Sequence, residues 1–198
     1  MRKYLFLTIL TLVITAFAYK PAIKSCYLSF SKASNLTMAA PDHFPDENDH
    51  TRTLPTSNGE VSITILDGYR VLYNNKKKAP FVNLKVELSD ANRYEADKQH
   101  VLDNLNYLNA NSTGMETKEL ITLTYNGYEI YGLSRAGIER GNTLGTFVMF
   151  PGDNTIVYFY FNNLNPEYRN FNSLEDYQSQ RNQFIGEYTA YLKGCKKQ

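Results

Sequence analysis

The run Val157-Tyr158-Phe159-Tyr160-Phe161 is apolar or aromatic at every position. Successive side chains of a strand point to opposite faces, so a strand of this composition offers neither face to water. It belongs at the centre of a sheet covered on both sides, or it turns one face to a ligand or a partner. Either way, the remaining chain must supply at least one further layer.

The periodicity shows where the layers come from. Val61, Ile63 and Ile65 alternate with polar residues, Asp67-Gly68 reads as a turn, and Tyr69, Val71 and Tyr73 continue the period of two. Phe81 to Leu88 buries Val82, Leu84, Val86 and Leu88, with Asn83, Lys85 and Glu87 opposite. Asp90 can cap a helix running to about Asn109, with Tyr94, Val101, Leu102, Leu105 and Leu108 as its stripe. Strands over 119–125 and 128–135 flank Asn126-Gly127, a strong hairpin signal because both residues tolerate positive φ. Strands over 144–150 and 155–162 flank Pro151-Gly152-Asp153-Asn154. A helix from Ser173 carries Leu174, Tyr177, Phe184, Ile185, Tyr188, Tyr191 and Leu192 on one side and closes at Gly194. The expected fold class is α+β, an antiparallel β-sheet flanked by helices in the order β-β-β-α-β-β-β-β-α.

The ends of the chain bear on location. Arg2 and Lys3 precede an apolar run from Tyr4 to Ala16, and Ala16-Phe17-Ala18 suits signal peptidase, so residues 1–18 read as a signal peptide. The run is shorter than the ~20 residues that span a bilayer, and nothing downstream forms a transmembrane segment. The protein is expected to be exported: periplasmic, cell-surface or secreted. Residues 19–58 are polar and aperiodic and read as a flexible lead-in, with a single α+β domain over 59–198. Cys26 and Cys195 are the two cysteines, and in an exported chain a disulfide between them is the first expectation. Lipidation of Cys26 is an alternative, although Ile23-Lys24-Ser25-Cys26 makes a poor lipobox; free or intermolecular thiols are another.

Loss of the leader removes Arg2 and Lys3, taking 21 basic residues to 19 against 20 acidic ones, a net charge of −1. Nucleic acid requires a dense basic face, so it is excluded as a partner. Lys76-Lys77-Lys78 follows two asparagines and reads as a solvated loop tip.

Groups able to do chemistry are sparse. His100 shares a helical face with Asp97 and Asp103, off the apolar stripe, and is expected on a solvated surface. Asp42 to His50 holds two histidines and several carboxylates, but their spacing fits neither a calcium loop nor a zinc motif, so no metal site and no cofactor are expected. The pairs Glu116/Glu119 and Glu175/Asp176 lack any cleft that sequence can define. What remains is recognition: Tyr128, Tyr131, Arg135, Tyr158, Tyr160 and Arg169 are aromatic or basic residues suited to a protein interface, unless the tyrosines pack under a helix.

Over about residues 60–193, the element order and Ile63-Thr64-Ile65-Leu66-Asp67-Gly68-Tyr69 resemble the Mog1/PsbP-like superfamily, with Leu66 at the position of that family's turn proline. The resemblance implies an antiparallel sheet flanked by helices and a role in binding other proteins; it carries over no catalytic residue. The expectation is a non-enzymatic adaptor acting through protein–protein contacts. Its rivals are a small-molecule carrier, an extracytoplasmic inhibitor or immunity protein, and a hydrolase.

Overall fold

The computed structural model describes residues 22–31, 36–44, 50–74, 80–111, 118–135, 143–163 and 170–195. The expected leader, Lys76–Lys78, Glu116 and Arg169 lie outside these residues. In chain order the strands are β1 (Thr37–Met38), β2 (Asp42–Phe44), β3 (Thr51–Thr56), β4 (Gly59–Thr64), β5 (Asp67–Asn74), β6 (Pro80–Leu88), β7 (Lys118–Tyr125), β8 (Tyr128–Arg135), β9 (Thr143–Gly152) and β10 (Thr155–Asn162). Helix α1 (Tyr94–Asn111) follows β6, and α2 (Leu174–Cys195) follows β10.

The main sheet is antiparallel in the order β1-β5-β6-β10-β9-β8-β7, with β2 also paired to β5, and the aromatic strand β10 lies at its centre. The fold is thus the expected sheet with one internal and one C-terminal helix. On one side Val157, Phe159 and Phe161 are wholly buried. They meet Phe184 and Tyr188 of α2, with Phe159 and Tyr188 ring centroids 5.4 Å apart and Phe161 and Phe184 6.0 Å apart. Phe147 of β9 lies flat over Gly132 and Gly145, where a Cβ would overlap its ring. On the other side α1 and the β3–β4 hairpin bring Val101, Leu105, Leu54 and Ile63 onto Ile156, Val148 and Leu133.

Turn chemistry sets the two main hairpins. Asn126 (φ 53°) and Gly127 (φ 84°) join β7 to β8, and the Asn126 amide donates to Gly186 O and Thr189 Oγ1 of α2, both at 3.0 Å. Asp153 and Asn154, both at positive φ, join β9 to β10. Ser173 accepts the Asp176 N–H at 3.0 Å, and the Asp176 carboxylate accepts the Asn172 N–H at 2.9 Å, so α2 begins where its capping residues predict.

The expected lead-in is the main correction. Of its described residues, Ile23, Tyr27, Leu28 and Phe30 are buried in the core on the α2 side. Phe30 packs edge-on to Phe184 and Tyr188, at 5.6 and 5.5 Å. Tyr188 donates to Tyr27 O (3.0 Å) and Tyr73 to Phe30 O (2.8 Å). Apart from one 3-10 turn over Ser25–Tyr27, the segment is irregular, so it is too short on regular structure for a helical or strand period to show. Its attachment is completed by a disulfide between Cys26 and Cys195, whose Cα atoms are 6.1 Å apart.

Further along the lead-in, β1 and β2 pair with β5, and β3 pairs with β4 despite Pro55, which a two-stranded edge tolerates. Asp67-Gly68 is accordingly no turn. Those residues open β5, and β4 belongs to the separate two-stranded sheet. Asp67 is 7% exposed and anchors the lead-in: its Oδ2 accepts the Ile23 N–H at 2.8 Å, and its Oδ1 lies 2.9 Å from His43 Nε2. His50 Nδ1 lies 3.1 Å from Ile65 O. Both histidines expected in a solvated linker therefore bond to the fold.

Phe30→Ala should lower unfolding free energy by about 3–5 kcal/mol, the usual loss for a buried phenylalanine. Urea unfolding monitored by circular dichroism measures this; a loose lead-in would leave the midpoint unchanged.

Candidate functional site

Polar side chains gather on the α1 side of the sheet, where β5, β6 and β10 lie together. Lys85 of β6 stands between Arg70 of β5 and Tyr158 of β10, and Asn83 stands between Leu72 and Tyr160. From above, β3 lowers Arg52, whose Nη2 lies 2.7 Å from Glu87 Oε2 and also donates to the Tyr158 hydroxyl. The Arg52 guanidinium sits 4.8 Å from the centre of the Tyr158 ring. Lys85 Nζ lies 2.7 Å from Glu87 Oε1, 4.8 Å from the Tyr158 ring centre and 5.6 Å from that of Phe44. Arg70 covers the other part of Phe44, at 4.8 Å.

Glu87 is 1% exposed and is held between two cations. Burial pushes the Lys85 ammonium down to about 8; Arg52 and Arg70 push the same way, while Glu87 opposes them. Burial, and then the Glu87 charge, hold the Tyr158 phenol well above its ordinary value, and burial takes Tyr160 up to about 12. Burial works against the Arg52 charge, but Tyr158 and Glu87 outweigh it and raise its pKa. Three atoms of the cluster, Arg52 Nε, Asn83 Oδ1 and Glu87 Oε1, are buried without a hydrogen-bond partner among the described residues, the last within an ion pair with Lys85.

The residues expected to form an interface divide between the faces. Tyr128 lies on the α2 side, half-buried against the core. Tyr131 lies on the α1 side, its ring 6.3 Å from Phe150 and its hydroxyl donating to Glu129 at 2.7 Å. Arg135 ends β8 opposite Lys118. Tyr158 and Tyr160 are brought together, their rings nearly parallel at 6.0 Å, but Tyr158 is buried and Tyr160 only half-buried. The expectation that Tyr158 is available to a partner is therefore corrected: Arg52 and the hairpin cover it. Val157, Phe159 and Phe161, the apolar side suited to a ligand pocket, are taken up by α2.

Arg52, Arg70, Leu72, Asn83, Lys85 and Glu87 were not among the expected site residues. Their signal lay in the register: a strand with Asn83, Lys85 and Glu87 on one side, paired to a strand with two tyrosines on that side, cannot leave those charges fully in water. Asp97 also departs from expectation, being fully buried and bonded to Ser89 while His100 stays half-exposed. Among the described residues, no group of three or more His, Cys, Asp or Glu side chains is placed to hold a metal ion, and no helix is long and apolar enough to cross a membrane.

The shifted groups give stability two opposite slopes at alkaline pH. Lys85 titrates near 8 in the fold against 10.5 when unperturbed, so between these values the unfolded chain holds more protons and this group's contribution to stability rises with pH. Tyr158 and Tyr160 keep protons that the unfolded chain loses near 10, so above that pH their contribution falls. In a urea-midpoint profile, Lys85→Met should remove the rising limb and keep the falling one, with tyrosinate absorbance of the buried phenols appearing together with unfolding. An unchanged rising limb would remove Lys85 as its source.

No family model, curated protein or solved structure matches this chain, so its function rests on the geometry of the site.

Proposed function

We propose that this chain is an exported, non-catalytic binding protein that engages another protein through the α1-side margin of its main sheet. The observation that carries the proposal is where the cover ends. In one cross-strand row, Lys85, Tyr158 and Val148 are buried, and Arg70 at the β5 end is exposed. In the next, Leu72 is 38% exposed and Asn83, Tyr160 and Thr146 are half-exposed. An aliphatic, an amide and a tyrosine side by side on a rigid sheet are the materials of a protein interface.

Export is supported by the leader-like first residues and by a disulfide suited to an oxidising compartment. The Mog1/PsbP-like resemblance belongs to the same proposal, because that superfamily mostly acts by binding proteins.

Native mass spectrometry of the protein, recovered gently from the cells that make it, tests the reading. The expected result is a protein-sized increment over the 19–198 chain, lost in Leu72→Glu with the circular dichroism spectrum unchanged. A bare chain, or an increment of only small-molecule size, would overturn it.

A further inference from the structure

We infer that the corner formed by Arg52, Arg70 and Lys85 beside Leu72 and Tyr160 seats a carboxylate from an acidic, partly apolar segment of the partner protein. This rests on the binding reading above and gives the partner its chemistry. The first ground is a surplus of charge. Three cations meet here; among the described residues, the carboxylates beside them are Glu87, shared by Arg52 and Lys85, and Asp42, opposite Arg70 in the β2–β5 register. The Arg70 guanidinium turns onto the Phe44 ring, and Arg70 and Lys85 stand directly across from each other, a like-charge pairing that Glu87 relieves at Lys85.

The second ground is an unpaired donor. Arg52 Nε is buried with no acceptor among the described residues, and Lys85 has three N–H bonds and one carboxylate oxygen beside it; Asn83 Oδ1 and Glu87 Oε1 are buried acceptors without a hydrogen bond. A buried donor left unpaired is unfavourable, and an incoming oxygen would relieve it.

The class of anion follows from magnitude. Among the described residues, three cations against two carboxylates leave a single positive charge, which matches one carboxylate rather than a doubly charged phosphate. A phosphodiester chain would need a dense basic face, and this sequence has 21 basic against 20 acidic residues. Leu72, two residues along β5 from Arg70 on the same face, and the half-exposed Tyr160 ring favour an acid flanked by apolar side chains.

The test uses three probes on the full exported chain: a synthetic peptide of alternating Glu and Leu, the same peptide with Gln for Glu, and inorganic phosphate. Side-chain NMR follows the arginine Nε–H signals and the Lys85 titration. The Glu peptide should shift the Arg52 and Arg70 signals and raise the Lys85 midpoint. Its affinity should fall about tenfold or more with the Gln peptide or with Arg70→Gln, the loss of one charge-assisted contact. Equal binding of the two peptides, absence of shifts, or phosphate reproducing the shifts and displacing the peptide would each overturn the inference. A recovered partner whose complex ignores Arg70→Gln would also remove the carboxylate seat but leave the binding reading intact. Failure to recover any partner while the Glu peptide binds as expected would support the seat and count against the binding reading.

Discussion

A strand with no hydrophilic face imposes a double cover, and most of this architecture follows from β10 having to be roofed twice. Its odd-numbered residues from Val157 to Phe161 need an apolar layer, which α2 provides together with the segment carrying Tyr27, Leu28 and Phe30. Its even-numbered residues need another, and α1 with the β3–β4 hairpin supplies it. One helix is too narrow to roof a sheet of this width. That explains why an N-terminal segment of little intrinsic regularity is held against α2, and why a two-stranded hairpin leaves the main sheet to lie over its other face.

The two covers deal with polar groups differently. On the α2 side, buried Arg181 lies 5.1 Å from the centre of the Phe147 ring and 5.2 Å from that of Tyr177, with the Ser134 hydroxyl 3.3 Å from its Nη1. Aromatic faces and a hydroxyl accommodate that charge without any carboxylate among these contacts. On the α1 side Arg52 and Lys85 share Glu87, and among the described residues hydrogen bonding remains incomplete at Arg52 Nε, Asn83 Oδ1 and Glu87 Oε1. Burial of an ion pair brings little net stability, because desolvation offsets the attraction. The incomplete cluster at the margin of the cover therefore brings the fold little stability of its own.

The parts of the fold legible in the sequence are those where one local signal dominates. Tyr128–Arg135 and Thr155–Asn162 coincide with their expected strands because alternation and turn chemistry agree there, and α2 begins just after the Ser173 cap. Phe30 and Tyr27 were hidden for the opposite reason: they work singly, as anchors of a non-repeating segment, and their burial depends on α2, more than 140 residues away. Arg52 lay in a Thr-rich run interrupted by Pro55, and its partner Glu87 is known only once β3 is placed over β6. Long-range pairing of this kind leaves no mark in either segment alone. Tyr158 and Tyr160 were legible as aromatic residues on one face of a strand, but that the hairpin would bury Tyr158 was not.

The bond between Cys26 and Cys195, 169 positions apart in sequence, makes almost the whole domain a closed covalent ring. A protease that cuts one connecting loop would therefore open a ring instead of dividing a chain, and both pieces would stay tethered beside their docking partners. In this topology a first nick is a survivable event, and while the disulfide holds it takes a second cut within the ring to release a fragment from it.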